Sequence, residues 1–325
     1  MPKATRRCGP IIALLTLASG CLVYEPLEPI LPLTDHCDAN APPVRSLDEH
    51  RHVEISTMTN RVSALPTCGV SGLEGPDGFM VLDVGANERW HIEASPAPDT
   101  DVLVYFLDTC DPRSAACRLV ADRCPAGVAE EITVYSQTAR TYYVGFDTHG
   151  GSSDFEAVVL RTECGDNTLE HGEGCDDGNL VDGDGCDAGC RVELTSAVNA
   201  EAEPNDWHGE ANVFDLPLGG ARTVKGEVGG MCDEDHYALI IPAGATVRAE
   251  TFGSDGVTCP TGVSNTMLML MDPVSATVHG AMSGACPFVE ATIANAGEIH
   301  VMYRSTLLGP GAPTIPYTLA VTVTP

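Results

Sequence analysis

Between Cys164 and Glu193 the chain carries nine acidic residues (Asp166, Glu170, Glu173, Asp176, Asp177, Asp182, Asp184, Asp187 and Glu193) against one base, Arg191. Charges this dense repel one another unless something neutralises them. A segment so short, with four cysteines, buries little apolar surface and needs staples, either disulfides or a metal. Calcium suits such a segment, because it is a hard cation that takes several oxygen ligands and tolerates irregular loops. Asp177, Asn179, Asp182 and Asp184 are spaced as loop ligands, with Gly178, Gly183 and Gly185 free to make the tight turns between them. The spacing is not that of an EF-hand. Asp, Asn and Gly in this pattern also build turns without metal. Zinc is disfavoured, since Cys164, Cys175, Cys186 and Cys190 do not form paired C-x-x-C knuckles.

The rest of the chain offers little other chemistry. No G-x-S-x-G, H-E-x-x-H or phosphate-loop pattern occurs. His50 and His52 flank Arg51 in a surface pattern, and Trp90 and Trp207 are isolated aromatics. The expectation is therefore a protein that is not an enzyme. With 46 acidic against 17 basic residues and a net charge of −29, nucleic acid is excluded as a partner.

The N-terminus reads as an address. Lys3, Arg6 and Arg7 precede a short apolar run from Ile11 to Ala18, then Ser19-Gly20-Cys21. LTLASGC resembles the lipobox of bacterial lipoproteins, which implies lipidation of Cys21, residues 1–20 as signal peptide and attachment to a membrane through the lipid. An ordinary secretory signal is the alternative. Leu22 after the cysteine fits outer-membrane sorting. Residues 21–43 hold Pro26, Pro29, Pro32, Pro42 and Pro43 and read as a stiff tether. Cys8 leaves with the signal and Cys21 is consumed by lipid. An even set remains for disulfides: Cys37, Cys68, Cys110, Cys117, Cys124, Cys164, Cys175, Cys186, Cys190, Cys232, Cys259 and Cys286. The acidic segment should hold two bridges in one of three connectivities. The cysteines before and after it are odd in number, so either one bridge crosses between the halves or each half keeps a thiol. Cys37–Cys68 and Cys259–Cys286 are the pairings expected.

The elements that must position these groups are strands. Short β-branched and aromatic runs separated by Gly, Pro, Asp and Asn fill both halves, and no helical period persists. They run Phe79–Val84, Trp90–Ala94, Val102–Leu107, Ile132–Tyr135, Thr141–Phe146 and Phe155–Leu160 in the first half. The second half has Thr223–Val228, Tyr237–Ile241, Thr246–Phe252, Met267–Met271, Phe288–Ile293, Glu298–Tyr303 and Tyr317–Val323. The halves rhyme: Asp77-Gly-Phe79 with Asp235-His-Tyr237, and Phe155–Leu160 with Tyr317–Val321. The expected fold is all-β, with one β-sandwich over residues 44–162 and another over 194–325. A small disulfide-rich module, 163–193, joins them.

Three features of the second half, the EAEPND opening (Glu201–Asp206), the DEDHYALII strand and the closing YTLAVTV, resemble the bacterial pre-peptidase C-terminal domain, a jelly-roll-like sandwich. The first half resembles it more loosely. CGDNTLEHGEGCDDGNLVDGDGCDAGC, Cys164 to Cys190, resembles the cysteine-rich repeat of myxobacterial surface proteins, here in a single copy. The pre-peptidase resemblance implies a second calcium site: Glu201, Glu203, Asn205 and Asp206 match its acidic opening, and Asp235 and Tyr237 its strand start. The family's further Asp falls on Cys232, with Asp233 as the substitute. The first half lacks the opening acids, so no equivalent site is expected there.

These readings imply a non-catalytic, lipid-anchored outer-membrane protein with calcium-stabilised modules. It would bind or display a surface protein or polysaccharide. The alternatives are an accessory or inhibitory partner of a secreted peptidase, and an extracellular hydrolase whose site is not visible as a motif.

Overall fold

The computed structural model describes residues 33–37, 47–110, 117–150, 154–195, 199–229, 232–259, 266–272, 278–305 and 314–325. The expected signal peptide, Cys21 and most of the expected tether lie outside the described residues. Among the described residues no helix is long and apolar enough to cross a membrane.

The protein is all-β. In the first half, strands β1 (Leu47–Glu54), β10 (Asp154–Thr162), β5 (Glu88–Pro96) and β8 (Glu130–Ser136) form one sheet in that order. Strands β4 (Gly78–Val84), β9 (Arg140–Gly150), β6 (Asp101–Leu107) and β7 (Cys117–Ala121) form the other. A two-residue pair, β2 (Ala64–Leu65) and β3 (Val70–Ser71), caps a side cluster around Leu73, Phe79 and Tyr105. The main core lies between the sheets, where Leu82, Ile92, Val104, Phe106, Val144 and Val159 are fully buried.

The second half repeats this plan. Strands β13 (Ala221–Val228), β20 (Ile315–Thr324), β15 (Thr246–Gly253) and β18 (Phe288–Thr292) form one sheet. Strands β14 (Glu234–Ile241), β19 (Gly297–Ser305), β16 (Thr266–Met271) and β17 (Val278–Ser283) form the other, extended at one edge by β12 (Asn212–Phe214) and β11 (Glu193–Leu194). The order β4-β9-β6-β7 maps strand for strand onto β14-β19-β16-β17, and β1-β10-β5-β8 onto β13-β20-β15-β18. The sequence rhyme is thus a repeated topology. Alternation of buried and half-buried positions in β15 and β16 shows why these runs form strands with one face on the core.

Six disulfides pair all twelve cysteines from Cys37 onward: Cys37–Cys110, Cys68–Cys117, Cys124–Cys232, Cys164–Cys190, Cys175–Cys186 and Cys259–Cys286. The expected Cys37–Cys68 bridge is not formed. Thr34 exchanges backbone hydrogen bonds with Phe79, which lays the 33–37 segment against β4. Cys37 then meets Cys110, while Cys68, on a short 3₁₀ turn, meets the start of β7. The odd counts in the two halves resolve through Cys124–Cys232, which crosses between the sandwiches. So dense a set of bridges belongs to an oxidising, exported setting.

The joint is not a loose linker. Glu193, at the end of the cysteine-rich segment, already pairs with β12. Trp207, from the opening of the second half, packs into the core of the first, with Arg123 stacked 4.0 Å over its ring. Arg89, on β5 and only 2% exposed, donates to the carbonyls of Gly172 (2.7 Å), Gly189 (2.5 Å) and Gly209 (2.7 Å). One side chain therefore ties the first sandwich, the cysteine-rich segment and the second domain's opening together.

Candidate metal centre

The loop Asp177–Asp184 does not gather its ligands. Asp177 accepts from the Asn179 amide (3.2 Å) and Asp182 from the Ala188 amide (2.9 Å). The Asn179 side chain donates to Asp184 (3.2 Å) and accepts from the Val181 amide (2.7 Å). These are turn contacts of the kind Asx residues make without metal. Much of the segment's charge is met by its own backbone. Asp176 accepts amides from Gly165, Asp166, Asn167 and Gly178. Glu193 accepts those of Gly183 and Gly185, and Asp187 is paired with Arg191 at 2.8 Å. Glu173, Asp176 and Cys190 come close, but Cys190 is spent in a disulfide.

The second set does converge. Carboxylate oxygens of Glu201, Glu203 and Asp235 lie within 4.8 Å of one another. The parallel bridge Ala200–Lys225 and the Glu201 amide bond to Lys225 seat the opening segment beside β13. Strand β14 supplies Asp235 with its side chain turned inward. Gly226 makes the approach, since a Cβ there would collide with Glu201 and the Tyr317 ring. Tyr237 lies behind the acids and donates to Glu201 at 2.7 Å. Tyr317, which the sequence reading did not include, lies 2.5 Å from the Tyr237 hydroxyl, 2.9 Å from Glu201 and 2.6 Å from Asp235. Its only sequence signal was its place at the head of the closing strand. Asp206 turns away, accepting the Glu234 amide at 3.0 Å beside Arg123.

The electrostatics of this cluster are unbalanced. Two phenolic protons serve four short oxygen–oxygen contacts, so a further positive charge is needed, either a proton or a cation. Burial, then Glu201 and Asp233, pushes Asp235 well above the usual carboxylate range. Burial, then Asp206, Glu201 and Asp233, lifts Glu203 to about 8, and burial lifts Asp233 to about 6. Glu201 is raised by burial against hydrogen bonds that oppose it. Asn205 is fully buried and neither of its side-chain polar atoms makes a hydrogen bond, although its amide lies close enough to Glu201 to oppose that carboxyl's rise. One oxygen each of Asp233 and Asp235 is likewise buried and unpartnered. Buried groups left this way call for an explanation. A hard cation ligated by Glu201, Glu203 and Asp235, with Asn205 and Asp233 in reserve, supplies one, and the all-oxygen donor set fits calcium.

The cluster opens on a cleft of about 1000 Å³ between the two sandwiches. Its lining includes Glu201, Glu203, Asp206, Trp207 and Asp233 from the second half and Arg123 and Glu131 from the first.

No protein-family profile matches the chain, and no curated protein matches it in sequence. Among solved structures it is similar to PliG of Aeromonas hydrophila, a periplasmic inhibitor of g-type lysozyme, with 21% identity over 32% of this chain and 85% of that one and a TM-score of 0.26. It is also similar to the CUB1-EGF-CUB2 region of human MASP-1/3, with 12% identity over 76% of this chain and 92% of that one and a TM-score of 0.22. A third is the M60 catalytic domain with CBM51-1 and CBM51-2 of Clostridium perfringens ZmpB, with 9% identity over 77% and 34% and a TM-score of 0.22. Likeness at these scores assigns no function to this chain.

Proposed function

We propose that this chain is an exported, non-catalytic binding protein, held at the outer membrane by lipid on Cys21, with a calcium ion fixed in its second domain. The supporting observation is the convergence of half-buried Glu201, exposed Glu203 and buried Asp235 beside the unpartnered Asn205 side chain, at the edge of the cleft between the sandwiches. The ion's task is structural: it offsets the acids and holds the opening segment against β14. The cleft it borders then keeps a fixed shape for a surface protein or polysaccharide. Calorimetry with calcium tests the reading. One ion per chain binds, EDTA lowers the melting temperature, and Glu203→Gln with Asp235→Asn abolishes both effects. Calcium at 100 times its Kd stabilises by about 2.7 kcal/mol. A melting temperature indifferent to EDTA, with no binding heat, overturns the calcium assignment. Labelling with a fatty-acid analogue, lost in Cys21→Ala, tests the anchor.

A further inference from the structure

The outer face of the β14–β19–β16 sheet carries donors unlike those of the acid cluster. His236 pairs across strands with Met302, Met302 with Met269, and His300 with Met271. Cross-strand neighbours lie about 5 Å apart at Cβ, so these side chains form one contiguous patch. His208, from the second domain's opening, lies above it, its ring centroid 6.4 Å from that of His300. The patch is covered by the first sandwich and faces a pocket of about 330 Å³ between the domains, which all six of these side chains line. His300, Met302, His236 and His208 are 0%, 3%, 5% and 8% exposed.

Three ring nitrogens in this patch are buried without a hydrogen-bond partner. Neither ring nitrogen of His236 makes a hydrogen bond, nor does Nδ1 of His300. Nε2 of His300 faces Glu298 at 2.9 Å, and Nε2 of His236 lies 3.7 Å from Glu234. Both carboxylates are already engaged, Glu298 with Arg191 at 2.9 Å and Glu234 with Arg304 at 2.8 Å. A hard dication would meet carboxylate charge already offset by arginine. The buried nitrogens without a hydrogen bond belong to imidazoles, and the sulfurs beside them are thioethers. His236 and His300 have ring centroids 5.8 Å apart. Two imidazoles that each place a nitrogen about 2 Å from a shared ion have centroids roughly 5–6 Å apart. Thioether and imidazole together select a soft, singly charged ion, copper(I) above all, over zinc or calcium.

We propose that His236, His300 and Met302, with Met269, Met271 and His208 around them, form a copper(I) site between the two sandwiches. Methionine adapts its three torsions to an ion without moving the backbone, and strands on either side fix the histidines. The site is separate from the acid cluster, which lies on the opposite face of β14.

Copper(I), generated with ascorbate and presented as its bicinchoninate complex, is titrated with the full chain, disulfides intact and other thiols alkylated. One ion per chain is withdrawn from the competitor. Met302→Leu and Met269→Leu, which conserve volume and leave the apo melting temperature in place, each weaken binding at least tenfold. Excess zinc or calcium does not displace the ion. Copper that stays wholly with the competitor, or leucine variants that bind as the parent does, overturns the proposal.

Discussion

Arg89 is a charged side chain near the start of a strand, buried among backbone carbonyls. Burial, opposed by Glu210 and Glu173, lowers its pKa to about 10, so it remains charged at neutral pH. Arg89→Met should cost about 3 kcal/mol or more, because the carbonyls of Gly172, Gly189 and Gly209 lose charged donors together; the urea midpoint checks this. Arg89→Lys should recover only part, lacking the planar fork. At the proposed calcium site Gly226→Ala should remove the EDTA response while leaving the strands paired, because the added methyl displaces Glu201 and Tyr317. Circular dichroism with and without EDTA separates the two effects. Glu201, Glu203 and Asp235 were legible because a motif carried them. Tyr317 and Arg89 were not, because each acts across more than 80 residues through contacts that only the fold creates.

The interior strands were legible as elements, since those buried on the core face write their own pattern. The strands missed were β1, β7 and β17, all at sheet edges, and the short β2, β3, β11 and β12. β17 reads VHGAMS, with every position exposed or half-buried, and no apolar alternation marks such an edge. Topology also exposes a difference between the copies. Asp77, ahead of β4 where Asp235 begins β14, meets Asp147 of β9 instead of opening acids. The Tyr105 hydroxyl donates to Asp77 at 2.8 Å, and the amides of Arg61 and Val62 saturate its other oxygen. Burial, then Asp77, raises Asp147 to about 9, so the pair holds a proton at neutral pH. Its folded pKa lies above the unfolded value. Its contribution is therefore complete below about pH 4 and lost as pH rises through about 9, with a slope of at most about 1.4 kcal/mol per pH unit. Melting temperatures should fall between pH 7 and 9.5, and Asp147→Asn should flatten that fall. A parent profile as flat as the variant's would show that the pair carries no proton.

At the scale of the molecule the question is what makes two sandwiches one body. Trp207 in the first core, Arg89 across the joint and Arg123 donating to the Asp206 carbonyl at 2.7 Å are non-covalent ties. Cys124–Cys232, spanning 108 residues, is the covalent one. Cys232 is also a non-glycine residue at φ 81°, a left-handed conformation that its surroundings must impose. It directly precedes Asp233 and lies three residues before Asp235. Replacing both cysteines by serine should therefore do two separable things. Loss of the long loop constraint lowers stability by up to about 4 kcal/mol, yet calorimetry should still show one unfolding transition, because the burial of Trp207 and the bonds of Arg89 remain. Release of residue 232 lets the start of β14 relax and moves Asp233 and Asp235 away from Glu201 and Glu203, so calcium affinity should fall at least tenfold. Two resolved transitions would mean that the disulfide alone joins the domains. Unchanged affinity would mean that β14 holds its acids without help from the first sandwich. The bridge stands where the resembled family places a further acid, so in this chain the position links the proposed metal centre to the neighbouring domain.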